Sequence, residues 1–360
     1  MKKTTSFNKD LFKKSLVNSL SNYKEGSKQQ VERTPKYSTG IIPLDDLLEG
    51  GFPMGSIVGF GSEAGVGKTT ILLQACANIV KKYNKTVYYI DVENGAKLDL
   101  IYKMEYTDML YHPESNPEGR FYLLSFKTIQ DIVSFINQAA KGQDTAVIVI
   151  DSVTQVVDEE SKEKDDLDVS NKQKGKIATM WSKASRALNT IIGDSDISLI
   201  MVHQARQKLN DFNPKTTSAG GNALKHITSV ELWAKKGKYI NEKYVTVDKA
   251  SNSIGFNVKL QSLKSRCGDS DSSRNLVLFK GKGAVNVFAV KEWLEEYQYY
   301  DKKKEEYIPY FTKNDPWKTY NIPQLSIYIK ERSYTKILEQ LNYHRDELIP
   351  YVIQQLESNW

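Results

Sequence analysis

The sequence predicts an α/β fold: a mostly parallel, twisted sheet flanked by helices, with an antiparallel extension, an N-terminal helical arm and a small C-terminal region. Three observations predict it. First, five apolar runs, IVGF (57–60), TVYYI (86–90), FYLLSF (121–126), AVIVI (146–150) and ISLIMV (197–202), are interleaved with helical patterns at about 69–82, 128–140 and 175–193. Strands that alternate with helices pair in parallel, because each crossover helix returns the chain to the same edge. Second, the apolar runs crowd together between 230 and 290 (VELWA, KYVTV, GFNVKLQSL, NLVLF, VNVFAV), with polar or Gly-containing turns between them. That spacing predicts antiparallel strands. Third, both ends change character. Residues 8–23 place Leu11, Phe12, Leu16, Val17 and Leu20 on one helical face with a basic face opposite. Residues 24–36 are polar and end in Thr34-Pro35, a linker. Residues 291–360 are rich in Tyr, Lys and Glu, with helices expected near 291–297, 323–331 and 334–357. The expected organisation is an arm (1–36), a large core (37–290) and a tail (291–360).

The 360 residues are 40% hydrophobic, enough for a substantial core, which excludes global disorder. The aliphatic runs are too short for a transmembrane helix. The Lys-rich N-terminus has no unbroken apolar stretch of the kind a signal peptide needs. Two cysteines, Cys76 and Cys267, cannot make a disulfide framework, and the count fits a reducing, cytoplasmic setting. The net charge of +6 is unevenly spread: +6 over 1–36, −7 over 37–198, +9 over 199–290 and −2 over 291–360. The +9 segment is the one suited to a polyanion.

The run Ile57–Phe60 leads into Gly61-Ser62-Glu63-Ala64-Gly65-Val66-Gly67-Lys68-Thr69-Thr70 and then a helical pattern. Strand, Gly-rich turn, GKTT and helix are the context of a Walker A loop. Its backbone N–H groups wrap phosphates, Lys68 reaches the β and γ phosphates, and the Thr69 hydroxyl joins Mg²⁺. Its first glycine would fall at position 62, which is Ser. Either Ser62 accepts the required backbone, or the turn shifts to use Gly61.

Two more strands end in acids. AVIVI runs into Asp151, where a carboxylate lies at the mouth of a parallel sheet and can support Mg²⁺ through water. TVYYI runs into Asp91-Val92-Glu93, and Glu93 is a candidate to orient and activate an attacking water. Without a Walker A loop upstream, either would read as a solvated strand-end acid. ISLIMV ends near Gln204, whose neutral amide can reach a γ-phosphate and whose strand continues into a polar loop. That loop, ARQKLNDFNPKTTSAGG, carries Arg206, Lys208 and Lys215 for backbone phosphates and Phe212 as an apolar wedge or stacking group. Gly220-Gly221-Asn222 then open a helix whose N–H groups suit phosphate. Arg186, on the 175–193 helix, is a further phosphate contact or a solvated helix charge.

Together these residues resemble the RecA-type recombinase family, over roughly residues 37–290. Ser38-Thr39-Gly40 through Gly55 resembles the family's lead-in to the Walker A strand, and Ile90-Asp91-Val92-Glu93 its I-D-x-E. Leu98-Asp99-Leu100-Ile101-Tyr102 resembles its L-D-x-I-Y, which implies that Asp99 and Tyr102 lie against adenine. VIVIDSV (147–153) matches its Walker B strand, His203-Gln204-Ala205-Arg206 its N-Q-x-R, and TTSAGGNALK (216–225) the end of its second DNA loop. Lys264-Ser265-Arg266 stands where bacterial and phage members carry K-x-K, which implies cations reaching a neighbouring subunit's ATP. Lys235, Lys236 and Lys259 align with the family's path for a second DNA. His203 and Arg266 depart from the pattern, and the loop 158–172 is unusually acidic; the divergence resembles phage-encoded recombinases of the UvsX kind.

The resemblance implies an ATP- and Mg²⁺-dependent DNA-dependent ATPase in bacterial or phage-infected bacterial cytoplasm. It implies a helical homo-oligomer on single-stranded DNA that pairs with duplex DNA, catalyses strand exchange and can meet single-strand-binding and loader proteins, with no membrane role. Alternatives with the same core are a hexameric helicase and an ATP-binding recombination mediator.

Overall fold

The computed structural model describes residues 34–93, 98–156, 171–206, 217–218, 227–242, 246–251, 253–286, 288–289, 300–301 and 306–307. The chain divides into two units between Thr34 and Pro35; the described fold belongs to the second. The expected N-terminal helix, the acidic stretch 157–170 and the expected C-terminal helices lie outside the described residues.

In chain order the elements are β1 (Lys36–Tyr37), α1 (Ile42–Leu47), β2 (Phe52–Pro53), β3 (Ser56–Ser62), α2 (Lys68–Tyr83), β4 (Thr86–Asp91) and α3 (Leu98–Lys103). A 3₁₀ turn at Thr107–Met109 precedes β5 (Phe121–Leu124), α4 (Ile129–Ala139), β6 (Thr145–Asp151), α5 (Asn171–Gly193) and β7 (Ser198–Arg206). Then come β8 (Thr217–Ser218), β9 (Val230–Asn241), β10 (Thr246–Val247), β11 (Ser253–Ser265), β12 (Ser273–Phe279) and β13 (Gly283–Ala284). The short strands β14 (Tyr300–Asp301) and β15 (Glu306–Tyr307) pair with each other.

The main sheet runs β13-β12-β11-β9-β3-β7-β6-β4-β5. From β9 to β5 all pairings are parallel, and β11, β12 and β13 extend the sheet antiparallel. This is the predicted architecture. β3 and β6 are buried at every residue, which is why they read as unbroken apolar runs instead of alternating ones. One face packs on α2, burying Phe60, Ile71, Leu72, Val149 and Val202. The other packs on α4 and α5, burying Ile57, Ile132, Ile148, Trp181 and Leu199. Thr128 caps α4, its hydroxyl accepting from the Asp131 N–H at 3.1 Å.

The extension differs from the sequence expectation in two places. VELWA extends into one strand, Val230–Asn241, that continues through Lys235-Lys236-Gly237-Lys238 because β11 pairs along most of its length, and of KYVTV (243–247) the described Thr246–Val247 form β10 against it. Among the described residues around VNVFAV (285–290), the strand falls just before it, at Gly283–Ala284.

Candidate nucleotide site

The C-terminal ends of β3, β7, β6 and β4 lie side by side, and each delivers a polar side chain to the same edge. At this edge of a parallel sheet the strand ends open into a crevice suited to ligands. β3 ends at Ser62, and Glu63–Gly67 turns the chain into α2. Ser62 is absent from the positive-φ positions of the chain, whereas Gly65 (φ 71°) and Gly67 (φ 95°) occupy them. The left-handed backbone thus falls on glycines, where it carries no Cβ penalty. Ser62 sits at the end of β3 with an ordinary backbone. Its hydroxyl accepts from Lys68 Nζ at 2.7 Å and donates to the Glu63 carbonyl at 2.6 Å. Lys68 Nζ also donates to that carbonyl at 3.2 Å. Burial pulls the Lys68 pKa down, opposed by Asp151 and Glu93. Val66 is buried, while Glu63, Ala64 and Gly65 are open to solvent.

Asp151 closes β6. Its Oδ2 accepts from Thr69 Oγ1 at 2.8 Å and from Tyr89 OH at 2.6 Å. Burial raises its pKa, and the two hydrogen bonds and Lys68 oppose that rise. Glu93, two residues past β4, accepts from Ser152 Oγ and from Gln204 Nε2. Ser152 Oγ lies 2.7 Å from Thr154 Oγ1. Three hydrogen-bonded sets, Lys68 with Ser62, Thr69 with Asp151, and Glu93 with Ser152 and Gln204, thus lie at the ends of adjoining strands. A hydroxyl and a carboxylate held together in an all-oxygen setting suit Mg²⁺, and the open Gly65–Gly67 turn beside a lysine suits phosphates. The donor set fits Mg·ATP.

The other candidates are placed as follows. Asp99 and Tyr102 lie exposed on α3, Tyr102 at 73%. A Cβ at Gly281, in the β12–β13 turn, would meet Lys103 of α3 at 3.8 Å. Gln74 of α2 holds β13 through both Ala284 backbone groups. Lys264 pairs in register with Glu231, which pairs with Gly59. It therefore lies two strands from β3, with β9 between them, level with a position three residues back from Ser62, and not among the groups around its own Lys68. Its ammonium donates to the Thr228 carbonyl at 2.6 Å. Burial and Arg266 lower its pKa, and Glu231 opposes them. Arg266 is exposed just past β11, and Arg186 is exposed on α5.

Lys235 and Lys259 are exposed and directly opposite each other on β9 and β11. Lys236 is separated from them: its ammonium lies over the rings of Tyr239 (4.8 Å) and Phe256 (4.2 Å). Lys208, Phe212, Lys215, Gly220, Gly221 and Asn222 lie outside the described residues, as does the Arg206 side chain. The backbone of Ala205 and Arg206 pairs antiparallel with Ser218 and Thr217 across that loop.

Three features were missed by the sequence reading. Tyr89 and Ser152 touch the two acids, and the signal for Tyr89 was a hydroxyl inside the run TVYYI. His203 and Glu231, from β7 and β9, meet across β3. Their Nε2 and Oε1 are 2.9 Å apart, a close contact that lacks hydrogen-bond alignment. They can meet because β3 carries glycine there. A Cβ at Gly61 would stand 2.5 Å from His203 Nε2 and 2.6 Å from the Trp233 ring.

Fold and site define a P-loop nucleotide-binding α/β core. The chain matches the RecA N-terminal domain family over residues 5–283, and it belongs to that family. It is 28% identical to Protein RecA of Mycoplasma genitalium over 259 residues, covering 70% of this chain and 69% of that one. It is 27% identical to Protein RecA of Nostoc sp. over 266 residues, covering 73% and 68%. A crystal structure of the RadB recombinase aligns at 18% identity and TM-score 0.49, covering 69% of this chain and 98% of that one.

Proposed function

We propose that this chain is an ATP-dependent DNA recombination protein that assembles as a helical filament on single-stranded DNA and pairs it with homologous duplex. The pairing of Asp151 with Thr69 and of Glu93 with Gln204 at adjoining strand ends carries the reading. It supports a site that holds a nucleotide and senses its terminal phosphate. Bound Mg²⁺ would neutralise phosphate charge. Lys68 and the Gly65–Gly67 backbone would hold the phosphates, and Thr69 with Asp151 would hold the metal. Glu93 would orient and deprotonate the attacking water, with Ser152 keeping its carboxylate in place.

Gln204 lies three residues before the loop that begins at 207. Its side chain can bond to Glu93 or to a γ-phosphate, and exchanging one for the other shifts the strand that carries the loop. Lys264 and Arg266 act on the neighbouring subunit's nucleotide, consistent with their place away from the same chain's Lys68. The +9 stretch 199–290 supplies phosphate contacts.

The test is the ATP hydrolysis rate with and without single-stranded DNA, followed by joint-molecule formation with a homologous supercoiled duplex. DNA-stimulated hydrolysis and ATP-dependent joint molecules are expected. Unstimulated hydrolysis and no joint molecules would overturn the proposal.

A further inference from the structure

Asp151 is held from a side that the nucleotide motifs do not explain. Tyr89 lies in β4, and its register partner in β6 is Val149. Asp151 is two residues further along the same face. Such diagonal neighbours come within reach of a long aromatic side chain. The Tyr89 phenol spans that diagonal and donates to Asp151 Oδ2 at 2.6 Å. The ring is fully buried, packed with Phe121 at a centroid distance of 6.5 Å.

A Phe would fill the same space. The extra hydroxyl is a buried polar group, which costs free energy unless it is paired. Its partner is the carboxylate at the metal position, and a neutral donor to a charged acceptor is among the stronger hydrogen bonds. The other donor to the same oxygen is Thr69 Oγ1. That hydroxyl is also one that would hold Mg²⁺, whereas Tyr89 reaches the same oxygen from within the sheet.

We propose that Tyr89 is a positioning residue for the metal site: its phenol fixes the Asp151 carboxylate in the orientation that receives Mg²⁺. The inference rests on the nucleotide-site reading above.

The test is binding of a fluorescent ATP analogue to the full chain, titrated with Mg²⁺ and repeated in EDTA. Tyr89→Phe is expected to leave the EDTA affinity unchanged and to raise the Mg²⁺ midpoint about tenfold, equivalent to about 1.4 kcal/mol. In an Asp151→Asn background the same change is expected to have no further effect on the Mg²⁺ midpoint. A purely structural hydroxyl would lower the melting temperature and leave the midpoint within twofold, which overturns the inference. If Tyr89→Phe does not fold, 3-fluorotyrosine at position 89 keeps the shape and strengthens the donor. It is expected to lower the midpoint, and an unchanged midpoint overturns the inference. A parent chain with no Mg²⁺-dependent nucleotide binding overturns the nucleotide-site reading itself. A parent that binds, with a Tyr89→Phe variant that matches it, overturns this inference alone.

Discussion

Gln204 Nε2 donates to both carboxylate oxygens of Glu93, at 3.1 Å each. The amide comes from β7 and the carboxylate from beyond β4, with β6 between them, so the contact ties two non-adjacent strand ends. Ser152, just past the intervening strand, donates to the same carboxylate. Glu93 is thus held by two neutral donors from different strand ends.

Glu93→Gln keeps the shape and removes the base. Hydrolysis is expected to fall by roughly 10²–10⁴-fold, the usual contribution of a general base, while nucleotide affinity changes little. Single-turnover hydrolysis beside equilibrium binding checks this. Turnover within a few-fold of the parent would remove Glu93 from the base role.

Gly61 is required by contacts across the sheet. Gly61→Ala would drive a methyl into His203 and Trp233 and is expected to cost about 1–3 kcal/mol, the range for overpacking a filled core. Gly142→Ala meets only an ordinary contact at 3.5 Å and is expected to stay within about 0.5 kcal/mol. Urea unfolding of the two variants checks the contrast; equal midpoints would contradict it.

Asp45 gives a pH signature. It is buried and accepts from Ser38 Oγ, Thr39 N, Thr39 Oγ1 and Gly40 N. Burial outweighs these donors and pushes its pKa up to about 6 from 3.8. The folded state therefore holds this proton more tightly than the unfolded chain. The stability it contributes is fully present below about pH 4 and is lost as pH rises through 6. By linkage the swing is on the order of 3 kcal/mol. Asp45→Asn removes the titration, so the parent's stability minus the variant's is expected to fall between pH 4 and 6 and to level off above. Chemical denaturation across pH checks it, and a flat difference would contradict it.

Two lysines of β9 are expected to behave differently toward DNA. Lys235→Ala and Lys259→Ala should each reduce the slope of log affinity against log salt by about one. Lys236→Ala should leave the slope unchanged and lower stability by about 0.5–1 kcal/mol through the lost ring contacts. Fluorescence anisotropy over a KCl series separates them. Equal slope changes for all three would return Lys236 to the DNA path.

The parallel core was legible because strands buried on both faces read as apolar runs, and turn residues bounded them. The P-loop and the strand-end acids were legible because local order fixes their chemistry. Contacts made across strands were not. Tyr89 looked like an apolar-strand residue, since its partner Asp151 is 62 positions away. The His203–Glu231 contact depends on a third strand lying between them. The unbroken β9 was hidden because Lys235-Lys236-Gly237-Lys238 has no strand signature, and pairing with β11 overrides local propensity.

The central claim is that nucleotide state reaches DNA through Gln204. The most direct measurement is the affinity of the chain for labelled single-stranded DNA with ATPγS, with ADP and without nucleotide, for the parent and for Gln204→Ala. The parent is expected to bind at least tenfold more tightly with ATPγS than with ADP. Gln204→Ala is expected to bind ATPγS and yet show the same DNA affinity in all three conditions. A variant that keeps the parent's full difference between ATPγS and ADP would contradict the account.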